Sequence, residues 1–356
     1  MKRTLILFVL TACLLGGQAL AAELPRDLID AAPEAAALLS DDPADGFGFT
    51  SGVRILLEGA LDDLKGYLFS GIRAVGAIMA GVVLLGAVES AAPAGKDLLG
   101  RYSTAIGALW VTAMAAGELD SLMGLGGETI QSISQLSKFL LPTLAAAEAA
   151  SGGITAASVR QVAAVFFSDI LLTIIDKILL PAVYLYIGTA AAGAVLEGDA
   201  MDRIGELLKK GISWTLGGLL ALFMTYLSIS GAVAGAADAQ AVKAAQSAMS
   251  AAVPVVGGIL SEAAESILAG AGVLKSMAGT MGTLALLGIC LLPFLRLGCQ
   301  YLLYQGASVV AAAAGPPKLT KLIARLGDAF ALVLAMTGAS AVLLLISLLS
   351  SMRAVL

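Results

Sequence analysis

Asp169 and Asp176 stand seven residues apart within "SDILLTIIDKILLPAVYL", an otherwise mostly apolar stretch, so on a helix they share a face two turns apart. Lys177 follows directly, and Arg296 lies next to a second Leu-Leu-Pro break in "GICLLPFLRL". A charge in hydrocarbon costs about 3 kcal/mol or more, so such groups face protein or water, and these four are the residues for a polar path or gate. The competing reading makes them markers of interfacial turns between two spans, with the long basic side chains snorkelling.

Other chemistry is excluded by type. The chain has no histidine, which removes zincins and His-activated serine proteases. Ser213 sits in a G-x-S-x context, "GISW", without an imidazole to activate it, and reads as a helix-start residue. "AGKDLLG" has Lys96 but neither the glycine spacing nor the Ser or Thr of a phosphate-binding loop. No catalytic, cofactor-binding or metal-binding residue is assigned, and any energy for transport must come from a partner or a gradient. Nothing basic is dense enough to follow a nucleic-acid backbone.

The elements that must hold these residues are membrane helices. Of 356 residues 59% are hydrophobic and 13% charged, about half the charged share of roughly 25% in soluble domains. Runs such as 74–92, 212–237 and 329–349 approach the roughly 20 residues a bilayer requires. The expected fold is all-α, a polytopic transmembrane helical bundle of about 6 to 10 crossings. Residues 1–21 read as a signal peptide: Lys2 and Arg3, an apolar run, then Ala19 and Ala21 in an A-x-A arrangement, with cleavage after Ala21. A lipoprotein box ending at Cys13 is the alternative, but it interrupts that run. Residues 22–66 form an acidic extracytoplasmic segment with a short helix at 52–65, and residues 67–356 the membrane domain. Cys290 and Cys299, nine residues apart, would lie roughly 13 Å apart on one helix, too far for a disulfide, and read as apolar filler.

Basic residues gather in three short loops: Lys96 and Arg101; Arg203, Lys209 and Lys210; Lys318, Lys321 and Arg325. The positive-inside tendency places all three in the cytoplasm, with the mature N-terminus outside. One crossing (about 67–92) reaches the first loop, and a second (about 102–117) returns outside to Glu118, Asp120 and Glu128. Three crossings are expected between Glu128 and Arg203: a short, re-entrant or spanning segment at 139–150, and two spans in 162–195, interrupted at Asp176-Lys177 and Pro181. Pro142 to Pro181 covers 39 positions, as does Pro254 to Pro293, which suggests a direct repeat of 136–230 and 248–350 offset by 112 residues. Chance similarity between Leu-rich segments is the competing explanation.

A further pattern lies in "SISGAVAGAADAQAVKAAQSAM". Continued as a helix, Gln240, Lys243, Ser247 and Ser250 fall at i, i+3, i+7 and i+10, one polar stripe on an alanine surface. Upstream, Gly231 and Gly235 form a G-x-x-x-G step that promotes close helix packing. Together they describe a partner-docking or pore-lining helix leaving the bilayer on the outer side.

The order "LLALFMTYLSISGAVAGAADAQAVKAAQSAMSAAVPVVGGILSEAAESILAGAGVLKSMAG", with "LLPTLAAAEAASGGITAA" before it, resembles the stage III sporulation protein AE family over essentially the whole chain. The chain departs in its higher alanine content and in having only "AAAAGPPKLTKL" where the family has a glycine run. The resemblance implies a multi-pass subunit of the apparatus in the mother-cell membrane around the forespore, a transenvelope, secretion-like channel complex needed for late forespore gene expression. Implied partners are other stage III sporulation membrane proteins, among them a cytoplasmic secretion-type ATPase and intermembrane ring proteins; a homo-oligomer is compatible with this role. The family has no catalytic motif to carry over. An autonomous secondary transporter of a small solute, motivated by the repeat and by Asp169, Asp176 and Arg296, is the alternative.

Overall fold

The computed structural model describes residues 49–91, 97–150, 166–196, 199–252 and 257–352, which are helical almost throughout. The expected signal peptide, most of the expected acidic segment and Pro254 lie outside the described residues. The helices are α1 (Phe49–Ala91), α2 (Asp97–Ala150), α3 (Phe166–Val195), α4 (Ala200–Ala252), α5 (Gly257–Ala314) and α6 (Pro317–Met352). Alanine and leucine favour this state, and in a bilayer a helix satisfies its own backbone hydrogen bonds. Five of the six, all but α2, contain stretches long and apolar enough to cross a membrane. α2 carries Glu118, Asp120, Glu128 and Lys138 at intervals, which dilutes its apolar windows. The chain is a multi-pass helical membrane protein, as expected.

Several expected breaks are absent. The crossing at 102–117, the loop behind it and the segment at 139–150 are one helix, α2, with Pro142 inside it. α1 likewise runs from the acidic segment into the first crossing without interruption. The region 162–195 yields one span rather than two, because the Asp176-Lys177 break is a π-helical turn, Ile175–Leu179, within α3. There the Leu180 N–H donates to the Ile175 carbonyl, five residues back. Pro181 has no N–H to give, and its ring crowds the carbonyl of Lys177, so the helix widens for one turn instead of ending. Pro293 sits inside an unbroken α5. The basic segments after Asp199 and Pro316 are the opening turns of α4 and α6, not loops. Ser213 is therefore interior to α4, where its hydroxyl donates to the Lys209 carbonyl at 2.9 Å.

The helices run up and down. Gly107 of α2 lies against Leu319 of α6 and Leu85 of α1, and Gly315 lies against Val82 of α1. The end of α1, the start of α2 and the α5–α6 junction therefore share one end of the bundle, which also gathers the basic segments. Gly52 against Leu284, and Gly282 against Leu140, mark the other end.

α6 is the central helix. It packs on α2, α3, α4 and α5, and 61% of its most apolar stretch is buried, against 17% to 33% in the other four spans. Its buried hydroxyls satisfy themselves along the helix: Thr337 donates to the Val333 carbonyl at 2.9 Å, Ser340 to Met336 at 3.1 Å and Ser347 to Leu343 at 2.9 Å. The outer faces are apolar, with Phe69, Leu84, Leu109, Trp214 and Val309 exposed, as lipid contact requires.

Close approach to α6 needs glycine at Gly126, where any added Cβ would press into Val333. Gly124, two residues back and on the opposite face of the helix, has open space around it. Gly126→Val is expected to cost about 1–3 kcal/mol from overpacking, read as a lowered unfolding temperature of the purified protein. Gly124→Val carries the same change in helix propensity without the clash, and equal losses in the two variants would refute the packing role.

Candidate functional site

The end of the bundle that gathers the basic segments is held by a network between helix starts. Arg325 of α6 is 8% exposed; its Nη1 lies 2.7 Å from Asp202 Oδ1 of α4, and its Nη2 donates to the Asp202 carbonyl at 3.2 Å. Lys321 also pairs with Asp202. Two turns further, Lys209 of α4 pairs with Asp328 of α6 at 2.6 Å, and Tyr186 of α3 and Gln305 of α5 reach the same carboxylate at 3.5 Å each. Both the Asp202–Lys321 and the Lys209–Asp328 pairs join residues 119 apart in sequence. Equal offsets at points seven residues apart mean that α4 and α6 run parallel and in register. Beside this network a cavity of about 250 Å³ opens between α3, α4 and α6, lined by Asp199, Asp202, Lys318, Lys321 and Arg325. Lys318 donates across it to the Leu196 carbonyl at 3.2 Å.

A second polar cluster lies deeper, among the apolar spans. Glu118 of α2 accepts hydrogen bonds from Gln300 Nε2 and, at 3.3 Å, from the Tyr304 hydroxyl, both on α5. Gln300 and Tyr304 are fully buried. Arg296, one turn before Gln300, places its guanidinium over the Tyr67 ring of α1, 5.5 Å from the centroid. Arg296 Nε and Gln300 Oε1 are buried with no hydrogen-bond partner. Glu118 stands eleven residues along α2 from Gly107, roughly 16 Å inward from the basic end.

The predicted polar-path residues divide between two places. Asp169, Asp176 and Lys177 line one cavity of about 180 Å³ between α2 and α3, together with Lys138, Gln131 and Thr173. Asp176 lies seventeen residues before Gly193, which sits beside Asp202, so this cavity is roughly 26 Å along α3 from the basic network. All three predicted residues are exposed there. Arg296 is not among them; it belongs to the Glu118 cluster. Gln240, Lys243, Ser247 and Ser250 fall on the continuous helix α4, as do Gly231 and Gly235, while their side-chain surroundings lie outside the described residues. Cys290 is buried, Cys299 is half-buried and both are free thiols. Among the described residues no cluster of His, Cys, Asp or Glu could hold a metal ion.

Sequence reasoning missed Glu118, Gln300 and Tyr304 as a site, having placed Glu118 in an outer loop. A signal was present: Arg296, Gln300 and Tyr304 recur every four residues within an apolar stretch, a polar stripe on one helix face. The ionic network yields a direct test. Asp202→Ala leaves Arg325 buried without its carboxylate, a loss of about 3 kcal/mol, whereas Glu58→Ala, which breaks the exposed Arg54–Glu58 pair on α1, leaves stability nearly unchanged. Thermal unfolding of the purified variants measures both, and equal effects would remove Arg325 from its role as the tie between α4 and α6.

The family model described as stage III sporulation protein AE matches residues 50–353, which takes in all six helices. Stage III sporulation protein AE of Bacillus subtilis (strain 168) is 24% identical over 196 residues, 55% of this chain and 49% of its own. The chain thus spans about half the length of that curated relative. No solved structure matches. The match covers the polar cluster around Glu118 and the basic-end network alike, and on its extent this multi-pass helical protein belongs to the stage III sporulation protein AE family.

Proposed function

We propose that this chain is a membrane subunit of a secretion-like channel complex that joins mother cell and forespore during sporulation, and that late forespore gene expression depends on it. The observation that carries the reading is the family match over residues 50–353. In this reading the protein lies in the mother-cell membrane around the forespore with its mature N-terminus extracytoplasmic. Its basic end faces the mother-cell cytoplasm, where a secretion-type ATPase supplies the nucleotide site that this sequence lacks. α4 has 53 residues and is roughly 80 Å long, far more than a hydrocarbon core of about 30 Å. Its apolar part ends near Ala237, and in this reading the stripe Gln240, Lys243, Ser247 and Ser250 lies on a projection toward the intermembrane space. There it meets ring-forming partners across an alanine surface that lets another helix come close.

A second reading, an autonomous secondary transporter, draws on the cavity with Asp169, Asp176, Lys138 and Lys177. It requires the chain alone to move a solute down or against an ion gradient.

Deletion of the gene in its sporulating host is expected to allow engulfment but to abolish late forespore transcription and heat-resistant spores. Normal spore counts would sink the proposal. For the stripe, Gln240→Cys, Lys243→Cys and Ser247→Cys, each in a Cys290→Ser, Cys299→Ser background, are expected to label with an impermeant thiol reagent only when the other subunits are absent. Labelling indifferent to those subunits, together with solute uptake by the chain alone in vesicles, would favour the transporter.

A further inference from the structure

The carboxyl of Glu118 is held in an unusual way for a group within a membrane bundle. Its partners are two neutral donors, the Gln300 amide and the Tyr304 hydroxyl, and it takes part in none of the ion pairs among the described residues. Elsewhere in the bundle, at the basic end, the carboxylates of Asp202 and Asp328 are each met by a cation. At the same time Gln300, fully buried, has its other amide atom, Oε1, without a partner. An amide turned over about its terminal bond occupies the same space but exchanges a donor for an acceptor. With Nε2 toward Glu118, the site fits a carboxylate; with Oε1 toward it, the site fits a carboxylic acid, whose O–H then has an acceptor. Room for the turn is left by Gly71 of α1, where an added Cβ would stand 3.1 Å from Gln300 Oε1.

We propose that Glu118 is a proton-binding site inside the bundle, occupied and vacated as the Gln300 amide turns over. The ligand is a single proton: in the loaded state Glu118 donates to Gln300 Oε1, and in the empty state it accepts from Gln300 Nε2 and Tyr304. The ionisable groups around it are few. Tyr67 faces it from α1 and Tyr304 from α5, while the Arg296 guanidinium of α5 stacks on the Tyr67 ring. Cys299 of α5 lies near Tyr67. α6 contributes the edge of Phe330 to Tyr304, their centroids 5.2 Å apart, and none of its charged side chains acts on Glu118. On α2 itself Asp120 is exposed and acts on Tyr184 of α3. The site thus offers a membrane protein without an ATP-binding loop a way to sense or use a proton gradient, whatever assembly it joins.

The test is an infrared pH titration of the purified full-length chain in lipid bilayers. A carboxylic acid carbonyl band is expected at acid pH that disappears as the pH rises and is missing in Glu118→Gln. Tyr304→Phe removes a donor that bonds the ionised form more strongly than the neutral acid, so the midpoint of that band is expected to shift upward. This second variant assigns the band even if Glu118→Gln fails to accumulate. A band present at every pH, no band at any pH, or a titrating band whose midpoint is unmoved in Tyr304→Phe would each overturn the proposal.

Discussion

Arg325 is a buried cation in the first turns of the most buried helix, and a guanidinium taken out of water needs a carboxylate and further acceptors in fixed positions. Asp202 supplies both, through its side chain and its main-chain carbonyl, and in doing so ties the start of α6 to the start of α4. Because lipid is as apolar as leucine, burial alone gives little preference for one helix arrangement over another, and polar pairs of this kind set register. Lys209 and Asp328 repeat the tie two turns on. Once α4 and α6 are parallel, α5 can only be the return stroke between them.

That arrangement decides what each ionisable group can do. α6 in the centre draws α2 close through Gly126, and α2 then presents Glu118 to the buried face of α5. The charges that dilute the apolar character of α2 are thereby made tolerable, since Glu118 faces protein and Lys138 lines a polar cavity shared with α3. The two polar places differ in kind. One centres on the half-buried Glu118 and holds the unpartnered Gln300 Oε1 and Arg296 Nε; the other is open, carries charges of both signs and includes a turn of π-helix that Pro181 imposes.

The family assignment and these geometric features bear on different questions. The match over residues 50–353 places the chain in the stage III sporulation protein AE family. The helices α2, α4 and α5 are each well beyond the length needed to cross a bilayer. The buried cluster suits a protein that responds to protons within it.

The sequence by itself determined the helical membrane class, because the apolar runs and sparse charge leave no other way to satisfy backbone hydrogen bonds in lipid. It also determined which segments are basic and, through its ordered small-residue motif, the family. Helix ends were harder to read: Asp176-Lys177, Pro142 and Pro293 look like interruptions, yet a π turn carries the chain through the first and the two prolines lie inside continuous helices. The site around Glu118 was decided only by tertiary structure. Glu118 and Gln300 are 182 residues apart, and nothing in either local sequence states that α2 passes α5 at that level. Only the register fixed at the basic end brings the two together, because pairing between distant helices depends on three-dimensional packing that local composition does not encode.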